Sequence, residues 1–265
     1  MILEKSAILH HEAISPECFK MTLACDPSYI SAVPGQFIMM HIPDGESPLL
    51  PRPFSIHRVK VSGQGDVKIQ ILYRVVGAMT RKMMRIREGE MVRMVGPLGR
   101  GFVLPKGACR LMIVAGGIGV APLIFLLETM LKNGMDPKSC DFFLGAKGQE
   151  ELLCREELTE MGVKLHVTTD DGSAGDHCLV TYPVQELAQT FPPDIIYACG
   201  PEAMLRCVVQ MARLMSAPCQ ISIEALMACG IGACLGCAVE GKMKDRYLHV
   251  CSDGPVFDAE TLGWD

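Results

Sequence analysis

The sequence predicts a multidomain chain, in which an antiparallel β-barrel is followed by an α/β parallel-sheet domain and a small cysteine module. Three observations carry that expectation. The first hundred residues read as short strands punctuated by turns, strands and helices alternate from residue 110, and after Pro218 the chain becomes rich in cysteine and glycine. A length of 265 residues also suits more than one core. The expected divisions fall at 1–103, 104–218 and 219–265.

In the first unit, Val67, Ile69, Ile71 and Tyr73 alternate with Lys68, Gln70, Leu72 and Arg74, the period of a half-buried strand. "GQFIMMHIP" (35–43) and "GEMVRMVGPLG" (89–99) are similar apolar runs bounded by glycine and proline. Several such strands in so short a stretch suit a small antiparallel barrel.

In the second unit, "CRLMIVAGG" is a continuous apolar strand. "VAPLIFLLETMLKNG" follows as a helix with Pro122 in its first turn and Gly134 at its end. "DFFLGA" predicts a strand, "EELLCREELTEMG" a helix and "VKLHVTTDDG" a strand. A helix near 183–190, the strand "PDIIYACG" and the helix "PEAMLRCVVQMARLM" complete the series. Such alternation argues for a parallel sheet covered by helices. Leu111–Leu127 is 17 apolar residues without a charge, at the lower edge of a membrane span. Three glycines and Pro122 interrupt it, so a strand, a turn and a buried helix are expected instead.

Charge and motifs exclude several functions. A net charge of −5 argues against a nucleic-acid footprint. Residues 1–15 lack the apolar core of a secretory leader, so a cytoplasmic setting is expected, where disulfides are rare. There is no G-x-S-x-G, H-E-x-x-H or Walker loop. The seven histidines, His10 and His11 included, show no metal spacing and are expected on the surface or in packing.

Nine of the thirteen cysteines are scattered singly and read as small buried hydrophobes. The other four are spaced Cys229-x4-Cys234-x2-Cys237-x13-Cys251. C-x4-C-x2-C with a distant fourth cysteine is the plant-type arrangement for a 2Fe–2S cluster. Gly230, Gly232 and Gly236 would let backbone amides approach the sulfurs. A four-cysteine zinc site is the alternative, but it usually shows two C-x2-4-C knuckles and here Cys251 stands alone. The spacing favours iron and sulfur over zinc, and disulfides least.

Three weaker motifs accompany it. "GGIGVAP" (116–122) joins a strand to a helix, so a dinucleotide pyrophosphate could meet the helix N-terminus, although any tight strand–helix turn would look the same. "ACGPEAM" (198–204) ends the last apolar strand, where the ligand crevice of an α/β sheet lies. That puts Cys199 and Gly200 near the reactive ring of a dinucleotide, against the plain alternative of a core thiol. "RPFS" (52–55) offers the Arg52 fork for a phosphate and the Ser55 hydroxyl for a flavin edge or phosphate, and alone says little.

Together these residues resemble the ferredoxin–NADP reductase superfamily over almost the whole chain. "RPFS" matches its flavin-binding R-x-[YF]-S pattern, "GGIGVAP" its nicotinamide-dinucleotide turn and "CGP" its nicotinamide-side loop. The long C-terminal motif, with "TDDGSAG" (169–175), narrows the likeness to the electron-transfer subunits of NAD-linked, two-subunit dihydroorotate dehydrogenases.

The resemblance implies FAD in the barrel, held by Arg52, Pro53, Phe54, Ser55, Leu72, Tyr73, Arg74, Met79 and Thr80. The loop "GAMT" departs from a common G-x-G-T, with Met79 where a glycine would offer a positive φ. It implies NAD as substrate at Gly116, Gly117, Ile118 and Gly119, with Gly200, Pro201 and a catalytic Cys199 beside the nicotinamide. It implies a 2Fe–2S cluster on Cys229, Cys234, Cys237 and Cys251. No basic cluster awaits a 2′-phosphate. It also implies a place in pyrimidine biosynthesis, with electrons passing from dihydroorotate to the FMN of a catalytic partner, then through cluster and FAD to NAD⁺. That partner is a (β/α)₈ barrel of a size this chain has no room for, so a separate catalytic subunit is expected, and the resemblance implies an assembly of two plus two. The rivals are another NAD(P)H–ferredoxin-type flavin and iron–sulfur oxidoreductase, whose cluster loop tends to a shorter "MCGxCR" form, and a zinc-stabilised binding module.

Overall fold

A computed structural model describes residues 1–43, 48–63, 65–107 and 109–264. The strands β1 (Ile2–Ala13), β2 (Cys18–Cys25), β3 (Phe37–His41), β4 (Arg52–Val61), β5 (Val67–Arg74) and β6 (Met91–Leu98) close into a barrel in the order β1-β2-β5-β4-β3-β6. A short helix, α1 (Ala78–Met83), sits between β5 and β6. The interior is filled by alternate residues of each strand, among them Met21, Ile38, Ile56, Ile69 and Ile71, with Tyr29 from a short 3-10 turn at Pro27–Ser31. β5 differs from the half-buried strand that its alternation predicts. Gln70 and Leu72 are buried too, because the outer face is also covered. Gln70 donates to Thr22 at 3.0 Å, and Leu72 lines a cleft.

The next strands are β7 (Leu111–Gly116), β8 (Cys140–Ala146), β9 (Lys164–Thr169), β10 (Asp176–His177), β11 (Ile195–Cys199) and β12 (Cys219–Ser222). They form a parallel sheet in the order β10-β9-β8-β7-β11-β12. α2 (Val120–Lys132) and α3 (Arg155–Glu160) pack on one face, and α4 (Thr181–Thr190) and α5 (Glu202–Leu214) on the other. The middle strands β7 and β8 are buried throughout because both faces are covered, and the one charge among them, Asp141, is paired with Arg110 and His166.

Two expectations are corrected here. The helix expected over residues 150–162 begins only at Arg155, because Cys154 adopts a left-handed conformation (φ 60°) at its start. The strand–helix pattern also does not stop at Pro218. β12 extends the parallel sheet, and β15 (Val256–Asp258), from the cysteine-rich tail, adds antiparallel to β12. Between them lies the hairpin of β13 (Ala238–Glu240) and β14 (Tyr247–His249). The cysteine module is therefore bound to the sheet by backbone pairing as well as packing.

Arg58 on β4 joins the barrel to the helices on the first face. Its Nε is 2.5 Å from Glu128 on α2 and its Nη2 is 2.6 Å from Glu157 on α3. Among the described residues no helix is long and apolar enough to cross a membrane.

Candidate functional site

β7 comes first in the α/β unit but lies inside the sheet, with β8 on one side and β11 on the other. Strand order reverses at that point, and the crevice outside the carboxyl ends of β7 and β11 is where such sheets bind ligands. Gly116–Gly119 leave β7 there, and Cys199–Pro201 leave β11. The two loops touch backbone to backbone, and a Cβ at Gly119 would strike the Cys199 carbonyl. Only glycine permits that approach.

Two cavities open from this junction. The larger, about 920 Å³, is lined by Gly116, Gly117, Ile118, Gly119, Gly200 and Pro201 together with Lys147 and Asp170. Trp264 and Val239 of the tail form a further wall. The smaller, about 350 Å³, brings together every barrel residue that the resemblance singles out: Arg52, Pro53, Phe54 and Ser55 from β4, Leu72, Tyr73 and Arg74 from β5, and Met79 and Thr80 from α1. Cys199 lies in its wall as well. The cavities share Arg74, Ile118, Gly119, Ile223 and Glu224, so they meet.

Each side chain is held by local chemistry. Arg52 donates from Nη1 to the carbonyls of Leu50 and Pro51, at 3.0 and 3.1 Å. The Tyr73 hydroxyl lies 2.9 Å from His11 Nε2, and its ring meets Phe54 edge-on at 6.0 Å. Thr80 Oγ1 accepts from the amides of Val76 and Gly77 at 2.9 and 3.0 Å, which closes the start of α1. Met79 is helical and buried, so no positive φ is required where "GAMT" lacks its second glycine. Burial pushes the Cys199 thiol up to about 12, so it stays protonated at neutral pH. Ser222, Ile223 and Glu224 belong to the junction but escaped the sequence reading, since they lie between motifs and carry no signature of their own.

The four cysteines of the tail are all free thiols, and backbone amides converge on their sulfurs. Cys229 Sγ accepts from Ile231 and Cys234 at 3.5 and 3.4 Å, Cys251 Sγ from Gly232 at 3.1 Å, and Cys237 Sγ from Cys251 at 3.4 Å. The amide of Ile231 foremost, with that of Cys234, holds the Cys229 thiol down to about 6. Burial, with Cys237 Sγ at 3.3 Å, pushes Cys251 up to about 11. Gly230 turns the loop at φ +72° and rests against Met39 and Leu98 of the barrel. Met227, two residues before Cys229, lines the smaller cavity.

These features fit the implied groups. Amides aimed at sulfurs suit the charged sulfurs of an iron–sulfur cluster. A single tetrahedral zinc would hold its four sulfurs about 3.8 Å apart, from Zn–S bonds of about 2.3 Å. Cys237 and Cys251 Sγ lie 3.3 Å apart, so the cluster is favoured over zinc by the C-x4-C-x2-C spacing with its lone fourth cysteine and by the converging amides. Two arginines, an aromatic pair and the start of α1 suit the phosphates and ring of a flavin dinucleotide, and the glycine loops suit a second dinucleotide.

Comparison with known proteins agrees with this division. Family models match residues 5–102 (oxidoreductase FAD-binding domain), 113–210 (oxidoreductase NAD-binding domain) and 224–263 (iron-sulfur cluster binding domain of dihydroorotate dehydrogenase B). Similar sequences include the dihydroorotate dehydrogenase B (NAD(+)) electron transfer subunit of Caldanaerobacter subterraneus subsp. tengcongensis, 36% identical and covering 97% of both chains. That of Fusobacterium nucleatum subsp. nucleatum is 35% identical and covers 99% of both. Among solved structures, a chain of the NADH-dependent reduced ferredoxin-NADP oxidoreductase is similar, at 26% identity and a TM-score of 0.83 over 98% of this chain and 90% of that one. The ferredoxin NADP+ reductase of Neisseria gonorrhoeae shares the fold, with a TM-score of 0.66 at 17% identity over 80% of this chain and 91% of that one.

Proposed function

This chain belongs to the family of dihydroorotate dehydrogenase B (NAD(+)) electron transfer subunits, and on that premise we propose that it carries electrons from the FMN of a dihydroorotate-oxidising partner to NAD⁺. The observation that carries the reading is the meeting of the two cavities at Arg74, Ile118, Gly119, Ile223 and Glu224, with the cysteine loop seated against the same barrel. A bound flavin exchanges electrons in pairs with a nicotinamide and singly with an iron–sulfur cluster, the conversion that such a chain needs.

The residues of this chain orient and insulate. Arg52 and Arg74 offer guanidinium forks to phosphates, while Phe54 and Tyr73 give an aromatic wall. Gly119 and Gly200 let the two loops close on each other at the junction, and Cys199, a neutral thiol in the wall of the smaller cavity, would sit beside a nicotinamide ring that enters there. Asp170, in the wall of the larger cavity, supports NAD over a 2′-phosphorylated dinucleotide, which a carboxylate would repel. Leu226, Ile231 and Leu235 stand 91, 50 and 59% exposed around the cysteine loop, and Cys234 is exposed among them. Apolar side chains in that position suit the docking face of the catalytic subunit. The proposed assembly has two copies of each subunit and works in the cytoplasm.

The chain loaded with FAD and iron is to be mixed with an FMN-containing dihydroorotate-oxidising subunit. The expected result is NADH formed in step with orotate, and a complex mass equal to two of each chain. Brisk NADH-linked ferredoxin reduction with no orotate-coupled NADH would favour the role of the 26% identical structural relative instead.

A further inference from the structure

Where β4 of the barrel meets α2 and α3, three potential metal ligands converge away from both cavities. His57, Cys154 and Glu157 each present one donor atom, and these atoms lie within 4.8 Å of one another. His57 is fully buried. Its Nδ1 is 3.0 Å from the Ala121 carbonyl, which needs a proton on Nδ1 and leaves a lone pair on Nε2. That Nε2 is buried and has no hydrogen-bond partner. A lone pair sealed from water and unpaired is unfavourable unless something else occupies it.

The other two donors are fixed by α3. Cys154 precedes the helix in its left-handed turn, and Glu157 sits in the first turn with Oε2 committed to Arg58. The cations that face the trio, Arg58 and Lys20, are both paired with carboxylates. Arg58 lies between two carboxylates, Glu128 and Glu157, while nearby Lys20 is matched by Glu12 at 2.8 Å.

We propose that His57, Cys154 and Glu157 hold one divalent cation of the zinc class, tying the flavin barrel to the nicotinamide domain. A nitrogen, a sulfur and an oxygen are the donors that borderline-soft Zn²⁺ accepts, and a water completes the tetrahedron. The Nδ1–H bond to a backbone carbonyl is the usual outer brace of a metal-bound histidine. On binding, the Cys154 thiol releases its proton to solvent while His57 and Glu157 lose none. The donors need only draw in to the ligand spacing of a tetrahedral site, about 3.3–3.8 Å. Linear spacing hides the site, because His57 and Cys154 are 97 residues apart and meet only when the two domains pack.

The test uses the full chain already loaded with FAD and iron, so that the tail cysteines are occupied. After exposure to zinc chloride and removal of excess, metal analysis should find one zinc per chain beside about two irons. Zinc EXAFS should show a single sulfur at about 2.3 Å, with the remaining ligands at about 2.0–2.1 Å. Cys154→Ser and Glu157→Gln should each weaken zinc binding at least about tenfold, with iron and flavin content unchanged, because even outer partners of metal sites are worth that much. Zinc bound by four sulfurs, or no stoichiometric zinc at all, overturns the proposal. Neither readout depends on electron transfer, so the site stands or falls separately from the function proposed above.

Discussion

At Gly119 a single methyl group decides whether the nicotinamide loop can lie against the end of β11. Gly119→Ala forces a Cβ into the Cys199 carbonyl, and overpacking of this kind costs about 1–3 kcal/mol. Urea unfolding should register that loss, and the KM for NADH should rise because the loop is pushed from the crevice. Cys229 sits where the amides of Ile231 and Cys234 meet its sulfur. Cys229→Ser should abolish the iron–sulfur visible bands and orotate-coupled activity, yet leave NADH-driven reduction of a dye through the flavin. Loss of both activities would mean that the loop also supports the flavin cleft. Both positions were legible in the sequence, one as a glycine in a strand-to-helix turn and the other by its spacing. Amides near the sulfurs were expected from the glycines, but the carbonyl eighty residues on that explains Gly119 was not.

At the scale of elements, agreement with the sequence follows the strength of the local pattern. α2 and α5 are long, with proline at or just before the first turn, and they form where the apolar period places them. α3 is shorter than its sequence suggests because Cys154 breaks it in a left-handed conformation, at a position with no glycine or proline to signal it. β5 also departs from its pattern, since Gln70 and Leu72 on its outer face are covered along with its inner residues. α1 depends on one side chain. Thr80→Val keeps the shape but removes the acceptor for the Val76 and Gly77 amides, at a cost of about 1 kcal/mol by analogy with lost helix caps. The variant should release FAD faster on dilution, followed by recovery of flavin fluorescence, while its cluster spectrum is unchanged.

For the whole molecule, the tail is the piece that assembles the others. It adds β15 to the sheet, places Trp264 in the wall of the larger cavity, and rests Gly230 on barrel strands β3 and β6. Its apolar rim should be the partner's docking face. Leu226→Asp combined with Leu235→Asp is expected to weaken association with the catalytic subunit at least about tenfold, as loss of a buried apolar anchor pair would. Flavin and iron content should hold, and analytical ultracentrifugation of the mixed subunits measures the effect. An unchanged affinity would move the docking face elsewhere.

The sequence by itself determined the order of the three units, the spacing of the four tail cysteines and the two glycine loops. These depend on residues close together in the chain, where spacing and turn chemistry are local properties. Only the tertiary structure decided that "RPFS", "LYR" and "MT" line one cleft, that Glu224 joins two cavities, and that the tail completes the sheet. It alone set His57 beside Cys154 and Glu157. Contacts between residues far apart in sequence arise from the closing of the barrel and its packing on the helices, and no local pattern records which distant side chains that packing will bring together.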